Sequence, residues 1–317
     1  MVQCPLSGDH NLEAVMVVRT AEVAAVYRAH FGTEVGPLFH GIEQLTLYRS
    51  GVSDLMFLDP PVTGNESFYK QLSLLDWYYS ADKYEFDFAR RLIPDSARVL
   101  EVGCGPGFFG ESLEGREYLG LEFNPDARAK AVARGLAVEG CKVEEVALRE
   151  PASFDCVVSF QVLEHVADPL PFLESCARLV KPGGRLIVSV PSADSFMRFN
   201  LNDVLNMPPH HVTWWTDRCL SWCADRIGLR VEELHHQTLS DGGHRQWFLQ
   251  QFSERALLKY LGIAPRGPMV DMALQGRLRT LSTALSQILE FGFEDPVMEP
   301  RGHTVIAVMT KAAGDGS

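Results

Sequence analysis

The fold of this chain is decided by the stretch Ala97-Arg98-Val99-Leu100-Glu101-Val102-Gly103-Cys104-Gly105-Pro106-Gly107-Phe108-Phe109-Gly110. A short apolar run ends in closely spaced glycines and passes into two phenylalanines, which is the pattern of a buried strand, a tight loop and a helix. Glycine suits such a loop because a ligand lies almost against the main chain, where a Cβ would collide and positive φ angles are often needed. The N–H groups at the start of the following helix favour a phosphate or a carboxylate. The stretch therefore predicts a loop that binds a nucleotide.

The glycines alone do not identify the nucleotide. Gly105, Gly107 and Gly110 also satisfy the G-x-G-x-x-G pattern of dinucleotide-binding loops, and a glycine-rich turn without a ligand is a further interpretation. Glu122 ends the next predicted strand, about twenty residues after the loop, where a carboxylate accepts hydrogen bonds from both ribose hydroxyls of a nucleoside. The alternative for Glu122 is an exposed loop acid. A carboxylate at this position disfavours a ligand with a 2′-phosphate.

Length, composition and charge limit the class of protein. The chain has 317 residues, of which 46% are hydrophobic, and its mean hydropathy is −0.03, so it is long enough for a complete α/β core with an additional module. A net charge of −12 argues against a general nucleic-acid binder. The seven cysteines are odd in number and scattered, and neither a signal peptide nor a bilayer-spanning apolar run is recognised. We expect a cytoplasmic protein without a membrane span.

Strands and helices alternate after the glycine loop, which predicts a parallel sheet with helices on both faces. The predicted strands after the loop are residues 118–122, 154–160, 185–190, 229–234 and 304–310, and the predicted helices are residues 125–135, 173–180 and 216–227. Residues 66–92, before the loop, are also predicted to be helical. Two long helical patterns, residues 245–261 and 271–290, interrupt the alternation and are expected to form a lid.

Four parts are therefore expected along the chain. Residues 1–64 are the least regular and form an amino-terminal module, with a helix at 21–31 and strands at 44–48 and 55–58. Residues 65–242 form the core with its leading helix. Residues 243–303 form a helical insertion, and residues 304–317 form the last core strand and a tail.

Four segments together resemble the class I S-adenosylmethionine-dependent methyltransferases. They are residues 99–107, the acid Glu122, Phe154-Asp155-Cys156-Val157-Val158-Ser159-Phe160-Gln161-Val162-Leu163-Glu164-His165-Val166, and Leu179-Val180-Lys181-Pro182-Gly183-Gly184-Arg185-Leu186. The segments follow one another in the family's order. The resemblance implies a Rossmann-like α/β fold, with a doubly wound, mostly parallel sheet of seven strands, and S-adenosyl-L-methionine as the cofactor. It disfavours the dinucleotide interpretation.

The resemblance also implies where the cofactor is held. Glu101 and Gly103 would lie near its amino-acid end, and Glu122 would hold the ribose. Phe160 and Gln161 would lie beside the methionine portion and the reacting methyl group. Further cofactor-binding residues are expected from the same motifs, namely Gly105, Gly107 and Phe123. Where the family usually has an acid near the adenine, this chain has Cys141.

The helical segment before the glycine loop resembles one that often closes over the cofactor in this family. Tyr79 and Lys83 are four residues apart, so on a helix they would share a face and reach the carboxylate end of the cofactor. The alternative is that this segment packs against the edge of the sheet.

Methyl transfer requires alignment of a nucleophile and, for some acceptors, removal of a proton. The best candidates for that role lie in Asn206-Met207-Pro208-Pro209-His210-His211-Val212-Thr213-Trp214-Trp215-Thr216. His210 and His211 are predicted as base or substrate ligand, since imidazole titrates near neutrality. Alternatively they are loop histidines bonded to the backbone, with Thr213 or Thr216 capping the next helix. His165 is a third catalytic candidate, although in the family Glu164-His165 mostly shapes the following helix.

No metal site is predicted from the remaining histidines. His235, His236 and His244 are too irregularly spaced to indicate a set of ligands. The amino-terminal module resembles a zinc ribbon that precedes some methyltransferases and normally reads Cys-x-x-Cys twice. Here only Cys4 is a thiol, and the other three positions are Ser7, Ser50 and Ser53. Because a hydroxyl is a poor zinc ligand, we expect a degenerate module that kept its shape and lost its metal.

Two classes of function follow from these observations. The first is an O-methyltransferase of a biosynthetic pathway, acting on a small molecule in a pocket shaped by the helical insertion and the amino-terminal module. The second is a protein that binds S-adenosylmethionine but no longer methylates, or that catalyses a non-methyl reaction. A nicotinamide oxidoreductase is a third interpretation. The expected partners are a small-molecule acceptor and a second copy of the chain in a homodimer, without nucleic acid.

Overall fold

The computed structural model describes residues 1–75, 78–199, 201–240, 244–263, 272–290 and 300–313. Its strands are β1 (Leu12–Arg19), β2 (Gln44–Ser50), β3 (Met56–Asp59), β4 (Arg98–Val102), β5 (Glu117–Leu121), β6 (Val138–Glu139), β7 (Phe154–Phe160), β8 (Val180–Pro191), β9 (Thr213–Trp214), β10 (Arg230–Thr238) and β11 (Arg301–Thr310). Its α-helices are α1 (Thr20–Phe31), α2 (Glu66–Leu72), α3 (Tyr84–Leu92), α4 (Phe108–Glu111), α5 (Pro125–Ala133), α6 (Val143–Arg149), α7 (Pro169–Leu179), α8 (Asp217–Arg226), α9 (Arg245–Leu261) and α10 (Met272–Glu290).

Seven strands form the central sheet in the order β10-β11-β8-β7-β4-β5-β6. The strands β6, β5, β4, β7 and β8 run parallel, whereas β11 pairs antiparallel with β8 and β10. The prediction of a doubly wound, mostly parallel sheet of seven strands is thereby confirmed. The order of strands reverses beside β4, and ligands of such sheets bind outside the carboxyl ends of the strands at that point. The glycine loop directly follows β4 and lies there.

The two middle strands are buried on both faces, which explains their continuous apolar sequence. In β4, Val99 and Leu100 are fully buried, as are Val157 and Val158 in β7. The hydrophobic side chains of α6, α7 and α8 pack with one face of the sheet, and those of α3 and α4 pack with the other. This packing fixes the ends of β4 and β7 as a rigid base for the loops that follow them.

The amino-terminal part and the core share a second sheet. Its strands are β1, β2, β3 and β9, all antiparallel, and β9 comes from the chain between β8 and β10. Tyr27 of α1 is fully buried, and its hydroxyl donates to the carbonyl of Met207 at 2.9 Å. The helix and the two strands predicted in this part are present. The strand β1 was missed because most of its side chains are exposed, so its sequence lacks alternation.

The single helix predicted over residues 66–92 is wrong, since α2 and α3 are separate helices. In the connection between them, Ser80 Oγ donates to the carbonyl of Asp82 at 3.0 Å and accepts from its N–H at 3.3 Å. Such local side-chain hydrogen bonds compete with the main-chain hydrogen bonds of a helix. Tyr79 and Lys83 lie in this connection, so they do not share a helix face.

The two long helices of the predicted insertion are present as α9 and α10. Gln246 of α9 donates to Ser286 Oγ of α10 at 2.7 Å. The predicted boundary between residues 242 and 243 lies outside the described residues, as does most of the connection between the two helices. Among the described helices, none is both long and apolar enough to cross a membrane.

Candidate active site

A cavity of about 620 Å³ lies at the carboxyl ends of β4 and β7, a size typical of sites for small ligands. The glycine loop forms part of its wall, and residues from the connection between β8 and β9 form another part. His244 and Trp247, at the start of α9, also line it. The predicted site residues that line this cavity are Tyr79, Lys83, Glu101, Gly103, Gly105, Phe160, Gln161, His165, His210 and His211.

The glycine loop has no room for side chains. Gly105 has φ +53°, and a Cβ placed on it would lie 3.0 Å from Cε1 of Tyr79. Gly103 has φ +79°, and its Cβ would lie 2.4 Å from Cγ2 of Val162. Gly107 is also required, because its Cβ would lie 2.9 Å from the Cβ of Ala131 in α5. The three glycines therefore allow the loop to pack closely on its neighbours, Gly103 on Val162, Gly105 on Tyr79 and Gly107 on α5.

The carboxyl group of Glu122 lies beside the same loop. It accepts from the N–H of Gly105 at 2.9 Å and from the N–H of Asn124 at 2.7 Å. Burial raises the pKa of Glu122, and the two backbone hydrogen bonds act in the opposite direction. The next residue, Phe123, is 66% exposed, which is unusual for a phenylalanine. An acid fixed by the loop and an open aromatic ring thus stand side by side at the end of β5.

Glu101 lies on β4, where it lines the cavity, and only 2% of its surface is exposed. The hydroxyl of Tyr118 donates to its Oε2 at 2.5 Å. Burial raises the pKa of Glu101 to about 8, although this hydrogen bond and the charge of Lys83 both lower it. The side chain is therefore mostly protonated at neutral pH, and a cationic ligand nearby would favour its ionised form.

The end of β7 presents Phe160 and Gln161 to the cavity. Phe160 is held edge-to-face by Phe109 of α4, with ring centroids 4.9 Å apart. Gln161 has φ +55°, a conformation that non-glycine residues rarely adopt and that is enriched at functional sites. Its Nε2 donates to the hydroxyls of Ser189 and Thr304, each at 3.4 Å. The neighbouring strands β8 and β11 therefore fix this amide at the cavity wall.

Three histidines come together on another side of the cavity. The ring centroid of His210 lies 4.5 Å from those of His165 and His211, and the latter two lie 5.0 Å apart. Their Nδ1 atoms donate to oxygens of the protein: His165 to the carbonyl of His210 at 2.6 Å, His210 to that of Leu205 at 2.9 Å, and His211 to Oδ1 of Asn206 at 3.2 Å. His165 is predicted from the motif after β7, and His210 and His211 are predicted from the Pro-Pro-His-His segment.

Burial makes these three imidazoles neutral. It lowers the pKa of His165 to about 4 and lowers the pKa values of His210 and His211 well below 6.5. Glu164 is buried beside them, and burial raises its pKa to about 8. Its Oε1 lies 3.9 Å from Nε2 of His165 and 4.0 Å from Nε2 of His211. The site is therefore a low-dielectric cluster of weak bases and one carboxyl group.

Several residues at this cavity were not predicted as site residues. The acidic neighbour in Glu164-His165 was a signal for Glu164, but no local pattern indicates His303 on β11 or Trp247 on α9. His244 and His303 stack with ring centroids 5.1 Å apart. Thr216, rather than Thr213, caps α8, since its hydroxyl accepts from the N–H of Cys219 at 3.1 Å. The aromatic residues at the start of α9 could not be placed without the tertiary fold.

A second polar cluster lies in the amino-terminal part. Cys4 Sγ is 3.4 Å from Ser53 Oγ, and Ser7 Oγ is 3.4 Å from the hydroxyls of both Ser50 and Ser53. Ser50 also donates to Asp9 at 2.8 Å. These four positions correspond to the cysteines of the two knuckles of a zinc ribbon, Cys4 with Ser7 and Ser50 with Ser53. They thus meet at one point and are joined by hydrogen bonds.

A family model matches about half of the chain, and similar proteins are found by sequence and by structure. Residues 70–234 match the family described as "Methyltransferase domain". The ubiquinone biosynthesis O-methyltransferase of Xylella fastidiosa is 35% identical over 120 residues, which cover 35% of this chain and 49% of that protein. The protein of the same name from Xanthomonas campestris pv. campestris is 30% identical over 194 residues, which cover 56% of this chain and 79% of that protein. The chain thus spans about half the length of the first of these relatives. A solved S-adenosylmethionine-dependent methyltransferase from Archaeoglobus fulgidus has a TM-score of 0.48 at 17% identity, covering 77% of this chain and 100% of that one.

Proposed function

The chain belongs to the methyltransferase-domain family, and from that premise we propose that it transfers a methyl group from S-adenosyl-L-methionine to a hydroxyl oxygen of a small molecule. One observation carries this proposal. A single cavity joins the glycine loop after β4, the Phe160–Gln161 pair at the end of β7, the partly buried His165 and the buried His210 and His211. Groups suited to the methionine end of the cofactor and groups suited to an acceptor hydroxyl therefore share one cavity, whereas Glu122 and Phe123 are not among the residues that line it.

The residues present fit the cofactor. Gly103 and Gly105 line the cavity without a side chain, and the carboxyl group of Glu122 has free lone pairs for ribose hydroxyls. The exposed ring of Phe123 suits the face of an adenine, and Lys83 provides a cation for a carboxylate. When bound, the cofactor supplies a methyl group already activated on a sulfonium sulfur. The chain's own contribution is then alignment, exclusion of water and handling of the acceptor's proton.

The histidine cluster is proposed to handle the acceptor. Nδ1 of His210 donates to a carbonyl, so the neutral ring carries its lone pair on Nε2, and this atom is buried with no hydrogen-bond partner among the described residues. An acceptor hydroxyl would satisfy it. His165 and His211 would orient the same hydroxyl or share its proton. The aromatic wall formed by Trp247 and its neighbours would cover the rest of the acceptor.

The relatives support oxygen as the atom that is methylated, because those described above are named O-methyltransferases. A cavity of about 620 Å³ suits a cofactor and a small acceptor rather than a nucleic-acid strand, in agreement with the net charge of −12. All seven cysteines are free, which agrees with a cytoplasmic location. Assembly as a homodimer stays a prediction.

The test is turnover with cofactor labelled in the methyl group, against a panel of phenols, catechols and sugar alcohols. We expect labelled product and S-adenosylhomocysteine with at least one hydroxylated class, and loss of both on replacing the hydroxyl with hydrogen. Binding of the cofactor without S-adenosylhomocysteine across the panel would instead support the second interpretation, a protein that no longer methylates.

We also propose that the amino-terminal part is a zinc-ribbon-like module that has lost its metal. The meeting of Cys4, Ser7, Ser50 and Ser53 within hydrogen-bond distances supports this, because four zinc ligands would occupy a similar space. Hydroxyl hydrogen bonds and Asp9 hold the two knuckles together in place of an ion.

A further inference from the structure

We propose that His165, His210, His211 and Glu164 form a binding site for a divalent transition-metal ion, which takes up the acceptor's oxygen beside the glycine loop. The catalytic use of the ion rests on the proposed function, whereas binding of the ion does not. His165 is far in sequence from the other two histidines, since it follows β7 whereas the adjacent pair precedes β9. Their spacing along the chain consequently gave no sign of the site.

The geometry brings one ligand atom of each histidine into a small volume. These atoms all lie within 4.8 Å of one another. A tetrahedral site with metal–nitrogen bonds of about 2.0–2.1 Å places its ligands about 3.3 Å apart. Closing the cluster around an ion therefore requires shifts on the order of 1 Å, which side-chain rotation supplies. His210 and His211, whose planes are 17° apart, must tilt relative to each other so that both lone pairs meet.

The hydrogen bonds of the three rings are those of metal ligands. Each ring donates from Nδ1 to a carbonyl or amide oxygen, which leaves the lone pair on Nε2. Histidines that bind metals generally donate from their second nitrogen to such an oxygen, which fixes both tautomer and orientation. A group of loop histidines that only packs would not need the same tautomer at all three positions.

Glu164 completes the donor set. Its Oε1 lies 3.9 Å and 4.0 Å from Nε2 of His165 and His211, and the side chain is 2% exposed. Its Oε2 and Nε2 of His210 are buried without a hydrogen-bond partner in the part of the chain that the structure describes. Leaving both unsatisfied costs folding free energy. A dication would satisfy both atoms and ionise the carboxyl group.

The donor set selects the class of metal. Three imidazoles and one carboxylate suit borderline ions such as Zn²⁺, Co²⁺ or Fe²⁺, whereas Mg²⁺ and Ca²⁺ prefer oxygen donors. Three histidines form a known type of catalytic zinc site, in which the ion acidifies a bound hydroxyl; with Glu164 as the fourth ligand, the acceptor's oxygen would be a fifth. The rings would then hold the ion, and the proton of the acidified hydroxyl would pass to the carboxylate oxygen of Glu164 that is not bound to the ion.

The test uses the full-length protein without a histidine tag, stripped with EDTA and titrated with Co²⁺ and with Zn²⁺. We expect a single ion per chain, with Co²⁺ absorption bands of a nitrogen-rich site. His211→Ala should weaken Co²⁺ binding at least about 100-fold, the upper end of what loss of a ligand's supporting partner costs. Glu164→Gln should weaken it less, and His40→Ala is a matched control because His40 is exposed and does not line the cavity.

Two results would overturn this inference: no stoichiometric ion in folded wild-type protein, or equal loss of binding in His211→Ala and His40→Ala. If His211→Ala does not fold, the Co²⁺ spectrum of the wild type and the Co²⁺ affinity of Glu164→Gln test the metal site instead. Titration of the metal-free protein with S-adenosylhomocysteine separates the two proposals. Cofactor binding without metal binding refutes the metal site alone, and metal binding without cofactor binding refutes the proposed function alone. Where both bind, EDTA should lower kcat and Zn²⁺ or Co²⁺ should restore it.

Discussion

Replacing Glu122 by glutamine tests how the cofactor is held. In the wild type both carboxyl oxygens are fixed by backbone N–H groups, from Gly105 at 2.9 Å and Asn124 at 2.7 Å. Their remaining lone pairs are the ones that would accept the ribose hydroxyls. Glu122→Gln keeps the shape but exchanges one of these oxygens for a donor, so one ribose hydroxyl loses its acceptor.

The expected loss follows from the energy of one hydrogen bond to a charged group. Such a bond is worth about 1.5–3 kcal/mol, so the Kd for S-adenosylhomocysteine should rise about 10- to 150-fold. Calorimetric titration measures this directly. The amide NH2 of the glutamine would face the N–H of Gly105 or of Asn124, so one of these backbone hydrogen bonds is lost and the Tm should fall, by the equivalent of about 1–3 kcal/mol.

Glu117→Gln is the matched control, since Glu117 stands at the other end of β5 and pairs with Arg98 on the surface. Its Kd should equal that of the wild type. Unchanged affinity in a folded Glu122→Gln protein would refute the reasoning that this acid holds the ribose.

Three other predictions concern the loop, the buried acid and the amino-terminal part. Gly105→Ala should weaken cofactor binding at least about tenfold and lower stability by about 1 kcal/mol or more, because φ is +53° and the Cβ meets Tyr79. Gly115→Ala, at φ +78° and with no atom of the described residues within 4 Å of its Cβ, should lower stability but leave the Kd unchanged. Equal Kd values for the two variants would speak against the loop as the cofactor site. Glu101 has a folded-state pKa of about 8, so its contribution to stability is fully present below its unfolded pKa near 4.5 and is lost as the pH rises through about 8. Between about pH 5 and about pH 8, the Tm of Glu101→Gln should therefore rise relative to that of the wild type. A difference in Tm that does not change with pH would show that Glu101 is not buried in its protonated form. Converting Ser7, Ser50 and Ser53 together to cysteine should create a site that binds Zn²⁺ tightly, as measured by calorimetry. Zn²⁺ should then raise the Tm of this variant in thermal unfolding. Absence of Zn²⁺ binding in the folded variant would contradict the proposal of a degenerate zinc ribbon.

The sequence predicted the core well because its signals are local. The apolar runs of β4 and β7, the glycines between β4 and α4, and the patterns of α9 and α10 each lie within one segment. Parallel strands that are buried on both faces need such runs, so the sheet could be recognised without its contacts. The positions of Glu101, Phe160 and Gln161 at one cavity then followed from the strands that carry them.

What the sequence did not predict depends on contacts between distant segments. The strand β9 joins a sheet whose other members lie more than a hundred residues earlier, and no local pattern indicates that pairing. The helix over residues 66–92 was overpredicted because side-chain bonds of Ser80 compete with the helix. The joining of His165 with His210 and His211 likewise requires the loop after β8 to fold back over β7.

Binding of the cofactor by the wild-type protein tests the central claim most directly. Purified protein is titrated in parallel calorimetric runs with S-adenosylmethionine, S-adenosylhomocysteine and NAD⁺. We expect saturable heat with both adenosyl compounds and none with the dinucleotide. Heat with NAD⁺ alone, or no heat with any of the three while circular dichroism shows a folded protein, would contradict the account.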